Sequence, residues 1–262
     1  MLLINYNYFW GKGKVILKTI NDLINEYLSE YSKDEYQINQ GASLLLIQED
    51  NIIFTLTKQK KWKYKEDITE IKFSGIGGAL ETDESIFECL EREVMEEIGI
   101  DIKNINFPDL TQTFIVDNDE PILKNELNID SKEKIPFYVV RLKLPLREDA
   151  IETDKKFSCL QLVVYIAKID SNIDVKVSEK EIPGLLFVKK EALYDLLDGK
   201  IIIEKNKNND YVIIKWNDNF IHNRIPATIK LLPQFTPLGL KKINLSFNQI
   251  NQILEGRYES KN

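Results

Sequence analysis

Apolar residues recur at three- and four-residue steps through Ile16, Leu17, Ile20, Leu23, Ile24, Tyr27, Leu28 and Tyr31, which predicts an amphipathic helix from Lys14 to Ser32. Such a stripe has to be covered, either by the main domain or by a second chain. The pattern then changes from helical steps to continuous runs. Ala42 to Gln48 and Ile52 to Thr57, parted by the polar Glu49-Asp50-Asn51, predict a β-hairpin. Phe137 to Lys143 and Cys159 to Ile169 read as strands, the second apolar enough to be central. Leu185 to Val188 predicts a short strand and Lys190 to Leu197 a helix. Ile201 to Ile203 and Tyr211 to Trp216 flank the polar run 205–210 and predict a second hairpin, after which Pro226, Pro233 and Pro237 break the chain into loops. Phe247 to Gly256 ends the pattern as a short helix. Strands interleaved with helices predict an α/β or α+β fold built on a mixed sheet.

One predicted helix carries an unusual polar face. Ser85 followed three residues later by Glu88 has the form of a capping box, and Gly99 after Ile98 has that of a C-terminal cap. At about 100° per residue, Ile86, Phe87, Leu90, Val94 and Ile98 share one arc of roughly 120°. Glu93, Glu96 and Glu97 share an adjoining arc of about 100°, with Arg92 at its edge. Like charges at these spacings destabilise a helix. Hard divalent cations need several oxygen ligands close together, so the acidic arc has an electrostatic rationale when something positive lies on it. Arg92 can hold one carboxylate in a fixed orientation by a paired hydrogen bond. Glu84 stands just before the helix, near the glycine-rich Phe73-Ser74-Gly75-Ile76-Gly77-Gly78-Ala79. An acid-rich face can also be a solvated surface and nothing more. Against that stands the whole pattern: Gly78, Glu84, Arg92, Glu93, an apolar Val94, Glu96, Glu97, Gly99 and an apolar Ile100. Chance agreement with it is on the order of 10⁻⁹ per starting position.

This spacing is the Nudix box, and the chain resembles the Nudix hydrolases over roughly residues 40–200. The resemblance implies an α/β/α sandwich with a mixed central sheet, and hydrolysis of a nucleoside diphosphate linked to another group with Mg²⁺ or Mn²⁺. It implies Glu93, Glu96 and Glu97 as metal ligands, joined by the backbone carbonyl of Gly78. It implies Arg92 as the residue that orients Glu93, and Glu84 as an accessory acid. The family adds a further glutamate from a loop ahead of a later strand; Glu181, six residues before Phe187, suits that role first and Glu179 second. Where the family commonly has Pro-Gly-Gly before the box, this chain has Ser74-Gly75-Ile76-Gly77-Gly78.

Composition narrows the partners. A formal charge of −7 and a pI of about 5.1 argue against generic nucleic-acid binding. Cys89 and Cys159 have neither metal-ligand spacing nor the makings of a disulfide framework, and fit a reducing compartment. The N-terminus lacks the basic region of a signal peptide, and the longest apolar run, Leu162 to Ala167, is too short to span a bilayer. The expectation is a cytoplasmic protein in three parts: a helical extension over 1–40, a hydrolase domain over 41–200 and a C-terminal extension over 201–262. A homodimer joined through residues 1–40 is expected, because two-fold dimers are the commonest soluble oligomers and the resemblance implies that added N-terminal elements often join chains. Trp62 and Tyr64, set among Lys58, Lys60, Lys61, Lys63 and Lys65, could stack on a base or belong to a solvated loop between core strands; Lys72 joins them as a candidate substrate contact. His222, the lone histidine, reads as structural or exposed. ADP-ribose or another nucleotide sugar is the first substrate class. Nucleoside triphosphates, dinucleoside polyphosphates and coenzyme A compete with it, as does a non-catalytic nucleotide-binding module. A diphosphate isomerase would need cysteine, histidine and glutamate catalysts, and one histidine with two scattered cysteines suits that poorly.

Overall fold

The apolar run beginning at Ala42 is the middle of a longer strand. A computed structural model describes residues 36–117, 120–125, 134–144, 157–178, 182–205, 207, 209–220 and 225–257. In it β1 (Tyr36–Gln48) and β2 (Asn51–Leu56) form the expected hairpin, with Leu46 opposite Ile53 and Gln48 opposite Asn51. Glu49 takes φ 53 in the tight turn. β3 (Lys63–Lys65), β4 (Ile68–Ser74) and β5 (Ile76–Ala79) lead into helix α1 (Ile86–Ile98). β6 (Gln112–Asp117), β7 (Glu120–Asn125), β8 (Tyr138–Leu144), β9 (Phe157–Lys168) and β10 (Gly184–Lys189) follow. The chain continues through α2 (Leu193–Leu197), β11 (Ile202–Glu204), β12 (Val212–Trp216), β13 (Thr228–Pro233), α3 (Thr236–Ile243) and α4 (Phe247–Leu254).

These strands form one mixed sheet, whose longest path runs β11-β13-β4-β2-β1-β9-β8-β6-β7. β9 is central, as its unbroken apolar run requires: it lies parallel to β1 from Tyr36↔Phe157 to Ile47↔Lys168, with antiparallel β8 on its other edge. Alternation along β1 divides the core in two. Ala42, Leu44 and Leu46 join Leu90, Val94 and Ile98 of α1 on one face. Leu45 and Ile47 join Leu196, Leu240, Ile243, Ile250 and Ile253, from α2, α3 and α4, on the other. Helices on both faces of a mixed sheet make the α/β/α sandwich that the resemblance implies.

Three expectations need correction or fall elsewhere. Ile201 to Ile203 and Tyr211 to Trp216 do not pair with each other. β12 lies antiparallel to β10, with Gly184 opposite Trp216, and β11 lies antiparallel to β13, with Ile203 opposite Ile229. Each strand finds an edge elsewhere in the sheet, and Trp216 gains aromatic neighbours there. The proline-rich stretch is not all loop: Pro233 ends β13 and Pro237 stands in the first turn of α3, two places where a missing N–H costs little. The helix expected over Lys14 to Ser32 lies outside the described residues. Among the described residues no helix is long and apolar enough to cross a membrane.

Candidate active site

Both ends of α1 are built as its sequence predicts. Ser85 Oγ accepts from the Glu88 amide at 3.2 Å while Glu88 Oε2 accepts from the Ser85 amide at 2.8 Å. Gly99 closes the helix at φ 67, a left-handed conformation that suits glycine. Ile86, Leu90, Val94 and Ile98 are buried, which leaves the acidic arc at the rim of the helix facing β5.

Arg92 is the hub of that rim. Its Nε and Nη2 donate to the two oxygens of Glu84 at 2.8 and 3.1 Å, its Nη1 donates to Glu93 Oε1 at 2.7 Å and to Glu96 Oε2 at 3.3 Å, and Nη2 also reaches the Ala79 carbonyl at 3.0 Å. The paired hydrogen bond expected of this arginine is therefore made to Glu84, and Arg92 gives Glu93 a single bond. Glu84 is fixed a second time, because its Oε2 accepts from the Glu81 amide at 3.0 Å. One guanidinium against three carboxylates leaves an excess of negative charge, which is what a divalent cation or a cationic ligand would meet.

The glycine loop lies against the same acids. A Cβ on Gly78 would stand 2.1 Å from Glu93 Oε1, so only glycine lets that carboxylate approach the strand so closely. Gly77, at φ 148, donates its amide to Glu97 Oε2 at 3.0 Å. Glu93 and Glu97, one turn apart, thus meet consecutive glycines. The Gly78 carbonyl, expected as a metal ligand, is approached by the Cys89 thiol at 3.8 Å and lies 2.4 Å from where a Cβ on Gly41 would stand. Gly78 meets the acids through its missing side chain. Burial pushes the Cys89 thiol up to about 11, so it is a neutral neighbour and not a nucleophile.

The donor set of Glu93, Glu96 and Glu97 is all oxygen and anionic, which fits a hard divalent cation. Among the described residues no three acid, histidine or cysteine side chains are already gathered into a cation cage. Glu96 is 54% exposed and touches Arg92, so it has room to turn.

The hydrogen bonds from Arg92 hold the Glu84 carboxyl below its ordinary 4.5, against the opposing push of burial and with help from the Glu81 amide. A depressed carboxyl pKa stabilises the fold above the ordinary value, and that contribution is lost as pH falls through the lower folded value. Thermal midpoints of the native chain and of Arg92→Met are therefore expected to differ at neutral pH and to converge below pH 4.5. A gap that stayed constant down to about pH 3 would remove this role.

The aromatic candidates sit on the wrong side of the sheet. Trp62 is 6% exposed and belongs to the core opposite α1, packed against Trp216 and Phe220, with its Nε1 donating to the Thr57 carbonyl at 2.7 Å. Tyr64 is exposed but pairs with Thr69, which alternates with Ile71 and Phe73 onto that same opposite face. It also stands about 17 Å along β4 from the glycine loop. Neither ring is placed to stack on a base held at the acids. Lys72 alternates the other way, onto the α1 face, two residues before Ser74. Glu179, Glu181 and His222 lie outside the described residues. The sequence reading missed Gly77, whose amide holds Glu97; the burial of Glu97 was foreshadowed, because it follows Val94 by three residues and Leu90 by seven and so shares the apolar seam.

The NUDIX domain family model matches residues 38–167. Among curated proteins none matches the chain. Among solved structures, the E. coli dihydroneopterin triphosphate pyrophosphohydrolase is 10% identical, with 58% of this chain and 82% of that one covered and a TM-score of 0.34. A NUDIX family hydrolase from Clostridium perfringens is 21% identical, with 60% and 84% covered and a TM-score of 0.34. A NUDIX hydrolase from Nitrosomonas europaea is 12% identical, with 86% and 94% covered and a TM-score of 0.32.

Proposed function

We propose, because this chain belongs to the NUDIX family of hydrolases, that it cleaves the diphosphate bond of a nucleoside diphosphate linked to another group and releases a nucleoside monophosphate. ADP-ribose or another nucleotide sugar is the first substrate in this reading. The observation that carries it is the web in which Arg92 ties Glu84, Glu93 and Glu96 together beside a glycine loop that also receives Glu97. NUDIX hydrolases depend on divalent metal ions; here Glu93, Glu96 and Glu97 would hold Mg²⁺ or Mn²⁺, which when bound neutralises phosphate charge and acidifies water. Arg92 keeps Glu93 in orientation and Glu84 keeps Arg92. Gly77 and Gly78 let the loop backbone come close to the acids. One carboxylate of the site accepts the proton of the water that attacks phosphorus, and no covalent protein intermediate is needed.

The test is a panel of ADP-ribose, nucleotide sugars, nucleoside triphosphates, dinucleoside polyphosphates and coenzyme A, each with Mg²⁺ and with Mn²⁺, resolved by chromatography. Nucleoside monophosphate released fastest from a nucleotide sugar supports the reading. Faster turnover of another class moves the substrate, and no turnover of any removes the activity. Separately, millimolar Mn²⁺ is expected to raise the thermal midpoint over a chelated sample by relieving carboxylate repulsion. Identical melting curves would count against a metal on these acids. The reading includes a homodimer; light scattering that gave 30.6 kDa at micromolar concentration would exclude it.

A further inference from the structure

The glycine loop is held from behind as well as from the front. A Cβ on Gly75 would come within 2.4 Å of Ser43 Oγ and 3.0 Å of Thr236 Cγ2, so the loop is pressed directly onto both residues. Thr236 Oγ1 donates to Ser43 Oγ at 2.8 Å, and Ser43 Oγ donates to the Ile76 carbonyl at 3.3 Å. The carbon of that carbonyl is bonded to the Gly77 amide nitrogen, the group that donates to Glu97. An unbroken chain of contacts therefore runs from the first residue of α3, through the sheet, to a carboxylate of α1 on the far face.

Thr236 is itself fixed with care. It is fully buried. Tyr138 Oη donates to its carbonyl at 2.5 Å, and Gly239 lets α3 settle on the Tyr138 ring, where a Cβ would stand 2.6 Å from Cε2. The Gln234 amide continues the pairing of β13 with β4 by donating to the Phe73 carbonyl at 3.0 Å. Between these anchors Phe235 is forced to φ 53, ψ −103, a conformation a bulky residue adopts only when its surroundings impose it. Simple packing of α3 does not require a buried hydroxyl relay or a strained residue beside it. Thr236 also lies beyond the residues 38–167 that match the family, so the support comes from a part of the chain outside the matched domain.

We propose that Thr236 is a positioning residue: its hydroxyl, acting through Ser43, sets the glycine loop and thereby the Gly77–Glu97 contact. The activity arm of the test rests on the hydrolase reading above; the exchange arm does not. Thr236→Val keeps the shape and removes the hydroxyl, and Thr236→Ser restores it. In Thr236→Val the Gly77 amide, followed by NMR hydrogen exchange, is expected to exchange roughly tenfold faster while amides of β8 and β9 keep their native rates. Thr236→Ser should return Gly77 to the native rate. If the chain hydrolyses a nucleotide, kcat should fall about tenfold in Thr236→Val, with KM little changed and with recovery in Thr236→Ser. Ser43→Ala breaks the same link from its other end, and should speed Gly77 exchange in the same way if Thr236→Val does not fold. Unchanged Gly77 exchange in the folded variants overturns the proposal. So does acceleration of all amides by one common factor, which marks a purely structural threonine. A Gly77 response in a chain that hydrolyses nothing leaves the positioning role standing and removes the hydrolase reading.

Discussion

Glu97→Gln is expected to lower turnover by about 100-fold or more while leaving the fold intact. Glu97 is 8% exposed, yet it is an acid on a helix whose neighbouring acids are also negative. In this structure the Gly77 amide answers one of its oxygens at 3.0 Å. Glutamine keeps an oxygen able to accept that bond and fills the same space, so α1 and the loop should stay where they are. What disappears is the charge. In the proposed site that charge is a metal ligand, and a neutral amide is a much weaker one for a hard cation. The substitution also lessens repulsion with Glu93, so the metal-free melting temperature should hold or rise. The check is initial rate against the best substrate of the panel, paired with a melting curve. Near-normal turnover in Glu97→Gln would sink the metal assignment. Glu93→Gln should cost as much, because Glu93 lies against Gly78 and takes its orientation from Arg92.

What the sequence revealed and what it hid divide along physical lines. Helix α1 was legible to its caps because its signals are local: a side chain bonding three residues away, a glycine at the last turn, a 3.6-residue stripe. The β1–β2 hairpin and the central place of β9 were legible because burial on both faces demands an unbroken apolar run. The pairing of β11 with β13 and of β12 with β10 was not. Those partners are set by which edges the rest of the sheet leaves open, and neighbouring strands in sequence were the natural first guess. The site follows the same division. Glu93, Glu96, Glu97 and Arg92 stood out by spacing within one helix. The hold of Thr236 on Ser43 joins residues 193 positions apart, and nothing in the local pattern around either one points to the other. The place of Trp62 was hidden for a related reason. Aromatics among lysines suit a solvated binding loop, but the partners that bury this ring, Trp216 and Phe220, arrive from β12 and the segment just after it.

Trp62→Ala therefore separates a core residue from a base-stacking one. The indole is 6% exposed, its centroid is 6.3 Å from that of Trp216 and 5.7 Å from that of Phe220, and its Nε1 gives the Thr57 carbonyl a hydrogen bond at 2.7 Å. Removing it leaves a cavity between the segment after β2 and the edge strand β12, and deprives the Thr57 carbonyl of that donor. A truncation of this kind costs about 3–5 kcal/mol, a large part of the roughly 5–15 kcal/mol that holds a domain together. At about 2–4 °C for each kcal/mol in a chain of this size, the thermal midpoint should fall by roughly 10 °C. Trp62→Phe keeps a ring in the cluster and loses the N–H, so it should fall between the native chain and the alanine variant. In both variants KM and kcat per folded molecule should match the native values, because the ring lies on the sheet face opposite the acids. A stacking role predicts the reverse: a midpoint close to native and a KM raised several-fold, in line with the loss of about 1–3 kcal/mol of base stacking. That second outcome would return Trp62 to the binding site and require the loop that carries it to reach the α1 face when a nucleotide is bound.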